Sequence, residues 1–228
     1  QKVLERLIHH EPIQYIVGYA DFHGERFKVT PDTLIPREET TGLIDIADNW
    51  LKERPNDRVL DIGTGTGILP IILKKKHPHV QVTACDLSST ALQIARENAD
   101  SHQVDITWLE SDLTAEVPGT FDLVISNPPY IAEEELEEMD ESVKRYEPAL
   151  ALFAGNQGLE IYERLACELP NLLAKDGRIA LEIGYRQGQA VTKIFEEAFP
   201  TASIHVHPDF NGLDRFVTVN LAKEDGNA

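Results

Sequence analysis

Apolar positions along this chain follow two rhythms that take turns. Short runs rich in Val, Ile and Leu at 58–63, 80–86, 105–111, 121–127 and 178–184 read as buried strands. Apolar runs of that length, closed by turn residues, suit a sheet covered on both faces. Between them lie segments with apolar residues three and four apart, which predicts helices over 67–76, 88–101, 158–174 and 187–199. Ser88 or Ser89 suits an N-cap, and Ala91, Leu92, Ala95 and Ala99 then share one helix face. Two last runs, 202–207 and 215–221, flank a short polar turn and predict an antiparallel pair. Ahead of residue 58 the pattern predicts a helix over 2–10, with Val3, Leu4, Leu7 and Ile8 on one face and Pro12 stopping it. A hairpin over 22–29 follows, turning at Gly24 with Phe27 and Val29 inward, and then a helix over 37–51. Strands alternating with helices predict an α/β fold. Its sheet is mixed and seven-stranded, has helices on both faces, and ends in an antiparallel hairpin.

Composition narrows the class. The chain has 228 residues, 42% of them hydrophobic, enough for one sizeable core without metal or disulfide staples. Lys and Arg total 21 against 39 Asp and Glu, a formal charge of −18, which opposes broad adhesion to nucleic acid or anionic lipid. No apolar run approaches the roughly 18 residues of a membrane helix, and residues 1–12 lack the features of a secretory leader. The two cysteines, Cys85 and Cys167, form no CxxC, and the histidines show no ligand spacing. The expectation is a cytoplasmic protein with no metal site and with Cys85 in the core.

Chemistry concentrates at the ends of the predicted strands. Asp61-Ile-Gly63-Thr64-Gly65-Thr66-Gly67 sits where the first strand passes into a helix, which lets backbone approach a nucleotide-type ligand. It is GxGxG rather than the dinucleotide GxGxxG, and it also reads as a tight glycine turn. Asp86 ends the second strand, where a carboxylate accepts from ribose hydroxyls or favours a helix N-terminus. Asp112, after the third strand, suits an adenine amino group or is an ordinary loop acid. Asn127-Pro128-Pro129-Tyr130 ends the fourth strand. Prolines hold backbone extended and remove donors. The Asn127 oxygen and the Pro128 carbonyl then act as acceptors, and Tyr130 offers a flat face, a set that suits a planar NH2 group. The acidic stretch 133–141 reads as a solvated segment or a lid facing a basic partner loop.

This constellation resembles the class I methyltransferases that use S-adenosylmethionine. Further motifs narrow the resemblance to the HemK/PrmC family, the protein-(glutamine-N5) methyltransferases of peptide chain release factors. They are Phe22-x-Gly24-x-x-Phe27, Leu34-Ile35-Pro36-Arg37-x-Glu39-Thr40, Glu147-Pro148-x-x-Ala151-Leu152, Gly155, Gly158-Leu159 and Asp209-x-x-Gly212-x-x-Arg215. The family usually shows Arg-Pro-Glu-Thr where Glu38 follows Arg37 here, and often an aromatic where Leu113 stands. The resemblance implies a Rossmann-like methyltransferase domain over 46–228, with 1–45 a remnant of an N-terminal helical domain plus a hairpin linker. It implies S-adenosylmethionine as cofactor and S-adenosylhomocysteine as product, held by Gly63, Thr64, Gly65, Thr66, Gly67, Asp86, Asp112, Leu113 and Asn127. Asn127, Pro128 and Tyr130 would carry catalysis, and Asn127, Pro128, Pro129 and Tyr130 would bind the substrate. The partner implied is a release factor bearing Gly-Gly-Gln, with no direct nucleic acid, no membrane, and a monomeric enzyme. Phe22 and Arg37 would line the substrate side, and Arg37 reads equally as a structural ion-pair partner. Rival readings are a nucleic-acid amino methyltransferase acting on adenine N6 or guanine N2, a non-catalytic cofactor-binding scaffold, and a nicotinamide dehydrogenase.

Overall fold

The computed structural model describes residues 2–54 and 56–221. Helices α1 (Lys2–Ile8) and α2 (Ile13–Val17) lead into an antiparallel hairpin, β1 (Tyr19–Phe22) and β2 (Glu25–Lys28). A 3-10 turn at Glu38–Thr40 opens α3 (Thr41–Leu51). The body then runs β3 (Arg58–Ile62), α4 (Ile68–Lys76), β4 (Gln81–Asp86), α5 (Ser89–His102), β5 (Thr107–Glu110) and β6 (Phe121–Ser126). After β6 come α6 (Glu141–Tyr146), the single turn α7 (Gly155–Gly158), α8 (Glu160–Glu168), β7 (Leu173–Glu182), α9 (Gly188–Ala198), β8 (Ser203–Pro208) and β9 (Asp214–Asn220).

The seven-stranded sheet has the order β5-β4-β3-β6-β7-β9-β8. Its first five strands in chain order pair in parallel, and β9 pairs antiparallel with both β7 and β8. Side chains alternate faces along a strand. Val59, Leu123 and Ile125 therefore meet α3 and α4 on one side. Leu60, Val124 and Ile179 meet α8 and α9 on the other. This two-sided burial is why the strands read as continuous apolar runs. Phe22 and Phe27 of the hairpin join the first cluster. Asn98 locks the hairpin there: its Oδ1 accepts from the Lys28 N–H at 2.7 Å, and its Nδ2 donates to the Lys28 and Thr66 carbonyls at 3.1 and 2.9 Å.

Three expectations need correction. The helix expected over 158–174 begins at Glu160, because Asn156 and Gln157 take left-handed backbone, and gives way after Glu168 to a 3-10 turn, Leu169–Asn171. Pro170 has no N–H to continue an α-helix. β7 accordingly starts at Leu173, which pairs with Phe121 before a register shift. Third, Val3, Leu4 and Ile8 of α1 share no covered face and remain exposed among the described residues.

Candidate active site

The strand order reverses between β3 and β6, and a doubly wound sheet opens a crevice at the carboxyl ends of its strands there. A cavity of about 670 Å³ occupies that place. This is within the usual range for small-molecule sites. Its floor is the loop from β3 to α4. Gly65 has φ +54°, a conformation that side chains resist, and a Cβ there would project into open space on the cavity side. The Gly63 and Thr64 N–H groups both donate to the Cys85 carbonyl, at 2.9 and 3.0 Å, so the end of β4 ties down the loop. Gly67 has another duty. A Cβ on it would press on Ala95, Ile71 and Trp108 at 3.1–3.2 Å, and it lies buried under the loop rather than on the cavity wall.

Asp86 reaches the cavity from the end of β4. Its carboxylate accepts from the Gly65 N–H at 2.8 Å and the Ser88 N–H at 2.9 Å. Burial raises its pKa, while the Ser88, Gly65 and Leu87 amides pull the other way. Ser88 caps α5 by accepting from the Ala91 N–H at 3.2 Å. Asp112 and Leu113 form the next part of the wall. Asp112 is exposed and pairs with Arg164 at 2.9 Å, and Leu113 takes φ +49° while its carbonyl accepts from the Cys85 thiol at 3.3 Å. Burial pushes that thiol up to about 12, so Cys85 is an inert core group.

The loop after β6 sends Asn127 and Pro129 to the cavity, while Pro128 and Tyr130 lie behind the wall. Tyr130, expected to offer a flat face, instead packs within the second core cluster, and its carbonyl accepts from Gln187 Nε2 at 2.9 Å. Burial pushes its hydroxyl up to about 12 beside Glu182 and Arg215. A Cβ at Gly158 would lie 2.1 Å from the Tyr130 carbonyl oxygen, which explains the glycine after that left-handed turn. Asn127 Nδ2 donates to Thr40 Oγ1 at 3.2 Å, and Thr40 Oγ1 donates to Glu182 Oε2 at 2.7 Å. The opposite wall holds Arg37 and Thr40, with Pro148 and Leu150. Arg37 pairs with buried Glu147, which also accepts from the Ile35 N–H at 3.2 Å, so two separated motifs form one brace. Phe22, expected on the substrate side, lies in the core instead.

Asp61 opens the glycine motif in the sequence, where pattern reading gives it no role of its own. It sits inside β3, fully buried, and among the described residues neither carboxylate oxygen has a hydrogen-bond partner. Burial pushes its pKa up to about 7, the nearby Thr64 hydroxyl lowers it and the charge of Asp86 raises it. An unpaired buried carboxylate costs several kcal/mol unless a cation or donor meets it. The signal was an acid within a run otherwise buried, directly before the glycines.

Known proteins resemble this chain along most of its length. The methyltransferase small domain family model matches residues 45–145. The release factor glutamine methyltransferase of Lactococcus lactis subsp. lactis is 46% identical over 220 residues, covering 96% of this chain and 80% of that protein. Its counterpart from Streptococcus pneumoniae is 41% identical over 220 residues, covering 96% and 78%. The crystal structure of a release-factor-specific protein-(glutamine-N5) methyltransferase from Alicyclobacillus acidocaldarius subsp. acidocaldarius is 28% identical with a TM-score of 0.55, covering 86% of this chain and 100% of that one. With a mixed seven-stranded sheet ending in the expected antiparallel hairpin, an Asn-Pro-Pro-Tyr loop at its switch point and identity of this extent along nearly its whole length, the chain belongs to the release factor glutamine methyltransferase family.

Proposed function

We propose that this protein transfers a methyl group from S-adenosylmethionine to the side-chain amide nitrogen of a glutamine, in the Gly-Gly-Gln motif of a peptide chain release factor. The observation that carries the reading is Asn127. Its amide nitrogen is tied back to Thr40, which leaves Oδ1 as an acceptor on the cavity wall. The cavity also fits the cofactor: Asp86 on its wall offers acceptors to ribose hydroxyls, the glycine loop leaves room for close approach, and Asp61, fully buried one residue before the lining begins at Ile62, keeps an unpaired carboxylate for an ammonium group. When bound, the cofactor supplies an electrophilic methyl carbon.

An amide nitrogen is a poor nucleophile because its lone pair is delocalised into the carbonyl. The protein's part is to orient the nitrogen and disfavour that delocalisation. Asn127 Oδ1, on the cavity wall, accepts one amide hydrogen, a role that strengthens as the nitrogen becomes positive, and the other is assigned to the carbonyl of Pro128, a residue behind the wall that the substrate has to reach past Pro129. Holding two reactants in near-attack geometry contributes roughly 7–11 kcal/mol. Tyr130 holds the loop from behind rather than stacking on the substrate. Gly63, Thr64, Gly65, Thr66, Asp112 and Leu113 make up the cofactor side, and Gly67 supports it by packing. The test is transfer of labelled methyl groups to a release factor, to its Gln→Ala variant in Gly-Gly-Gln, and to duplex DNA. Label confined to the intact release factor is the expected result, and label in DNA or in the Gln→Ala variant would overturn the reading.

Asp61 gives a second prediction. A carboxyl held at about 7 ionises when a cation arrives, so binding of S-adenosylhomocysteine at about pH 6 releases most of one proton. Calorimetry in buffers of different ionisation heat reads that proton. Asp61→Asn abolishes the release and lowers affinity about 10–100-fold. The same variant raises the Tm of the unliganded protein at about pH 8. The sign follows from the direction of the shift: a carboxyl raised from 3.8 to about 7 contributes stability fully below 3.8 and loses it as pH rises through 7. Proton release that survives in Asp61→Asn would remove Asp61 from this role.

A further inference from the structure

A carboxamide has an accepting end and a donating end of nearly the same size, and only the accepting end of Asn127 can hold a substrate N–H. Packing alone distinguishes the two ends poorly. Building on the glutamine methylation proposed above, we propose that Thr40 and Glu182 form a positioning relay that sets which end of Asn127 faces the cavity, with the charge on Glu182 setting its direction.

The relay is visible in the donor order. An ionised Glu182 has only acceptors, so the Thr40 hydroxyl gives it its single proton, at 2.7 Å. The Thr40 oxygen is then left to accept, and it takes Nδ2 of Asn127 at 3.2 Å. Oδ1 is thereby turned to the cavity. A protonated Glu182 can donate instead. The Thr40 hydroxyl then turns toward Asn127, where it pairs with Oδ1 and presents the NH2 end to a substrate that is itself a donor. Both Thr40 and Glu182 are buried, so water does not scramble the order.

The groups around Glu182 favour a titration in the working range. Thr40 and Glu39 face it from the 3-10 turn, Tyr130 from the loop after β6, and Arg215 from β9. Tyr162 of α8 donates to its backbone carbonyl at 2.8 Å. Burial pushes the carboxyl up to about 7, the Thr40 bond and Arg215 lower it, and Glu39 raises it. Arg215 is kept in place by Asp209, whose other oxygen accepts from the Asn211 and Leu213 N–H groups at 2.8 and 3.2 Å. The Asp209-x-x-Gly212-x-x-Arg215 motif is thus a turn that delivers a cation to the relay.

The test is kcat against pH, between about 5.5 and 9, with cofactor and a Gly-Gly-Gln release factor both saturating. Wild type loses turnover as pH falls below about 7, approaching tenfold per pH unit. Glu182→Gln turns over more slowly and lacks that acidic limb. Thr40→Val lowers kcat at least 30-fold on the order expected for a misdirected acceptor, with KM and S-adenosylhomocysteine affinity nearly unchanged, and Thr40→Ser restores most of the loss. A merely structural Thr40 would move Tm and KM and would leave the pH limb in place. A wild-type profile flat to about pH 5.5, a limb that persists in Glu182→Gln, or full turnover in Thr40→Val overturns the relay while leaving the glutamine reading intact. A wild-type protein that methylates no release factor overturns that reading and the relay with it. The wild-type profile needs no substitution, so a variant that fails to fold does not shield the proposal.

Discussion

Asn127→Ala lowers kcat on the glutamine substrate by about 10³-fold while S-adenosylhomocysteine affinity stays within about fivefold of wild type. The split follows from where the side chain stands. Asn127 lines the cavity at the tip of β6, and among the described residues its side chain makes one hydrogen bond, from Nδ2 backward to Thr40. On the proposed reading its oxygen accepts from the reacting nitrogen, and an acceptor aimed at those hydrogens gains most when the nitrogen develops positive charge. Such a contact contributes more to the transition state than to the bound state, so its loss appears in kcat rather than in KM. On the proposed reading, cofactor affinity depends on other parts of the cavity wall, Asp86 and the glycine loop. Single-turnover methyl transfer, with calorimetry on the same preparation, measures both halves. Wild-type turnover in Asn127→Ala would end the mechanism, and an equal fall in cofactor affinity would make Asn127 a binding residue instead.

The sheet was legible because both its faces are covered. Runs such as Phe121–Ser126 bury residues of either parity, and Leu123 and Val124 are equally inaccessible although they belong to opposite clusters. Such runs separate cleanly from helices whose apolar residues recur every three or four positions. Position along the strand then located the chemistry, since ligands in open α/β sheets gather at strand ends. Strand position therefore places Gly63, Gly65, Asp86, Asp112 and Asn127 beside one crevice, and all five line the same cavity. The helix over 158–174 was misjudged for a local reason, since its apolar pattern runs straight through Pro170.

What stayed hidden depends on pairing between distant residues. Thr40 and Glu182 are 142 positions apart, and in the chain Glu182 is an ordinary member of a strand. Arg37 and Glu147 lie 110 apart, and each alone reads as a loop charge. Asn98 sits on a helix whose periodicity marks it only as inward, with nothing to show that it grips β2 and the glycine loop at once. Tyr130 was assigned to the cavity because an aromatic beside Pro-Pro invites stacking. Whether the ring turns toward the ligand or toward the core depends on its tertiary neighbours, here the second core cluster against which it packs.

Asp86→Ala shows the opposite split from Asn127→Ala: S-adenosylhomocysteine affinity falls about 10²–10³-fold, and kcat at saturating cofactor falls less than tenfold. Each hydrogen bond from a ligand hydroxyl to a charged acceptor is worth about 1.5–3 kcal/mol, and a ribose offers two hydroxyls. The side chain also has an internal duty, because Oδ2 accepts from the Gly65 N–H and Oδ1 from the Ser88 N–H. Alanine therefore removes the acceptors and frees the loop at the same time. Asp86→Asn separates these effects, since it keeps one accepting oxygen for the loop and loses the charge. If binding is governed by the acceptors offered to the ligand, Asn recovers only part of the affinity and the loss concerns ligands with ribose hydroxyls: an analogue lacking both hydroxyls binds wild type and Asp86→Ala about equally. If the loop amides govern it, Asn recovers nearly all of the affinity and the analogue is weakened by the alanine variant as much as the parent ligand is. Calorimetry with the two ligands and three proteins distinguishes these outcomes, and an Asp86→Ala variant that binds S-adenosylhomocysteine like wild type removes Asp86 from the cofactor site altogether.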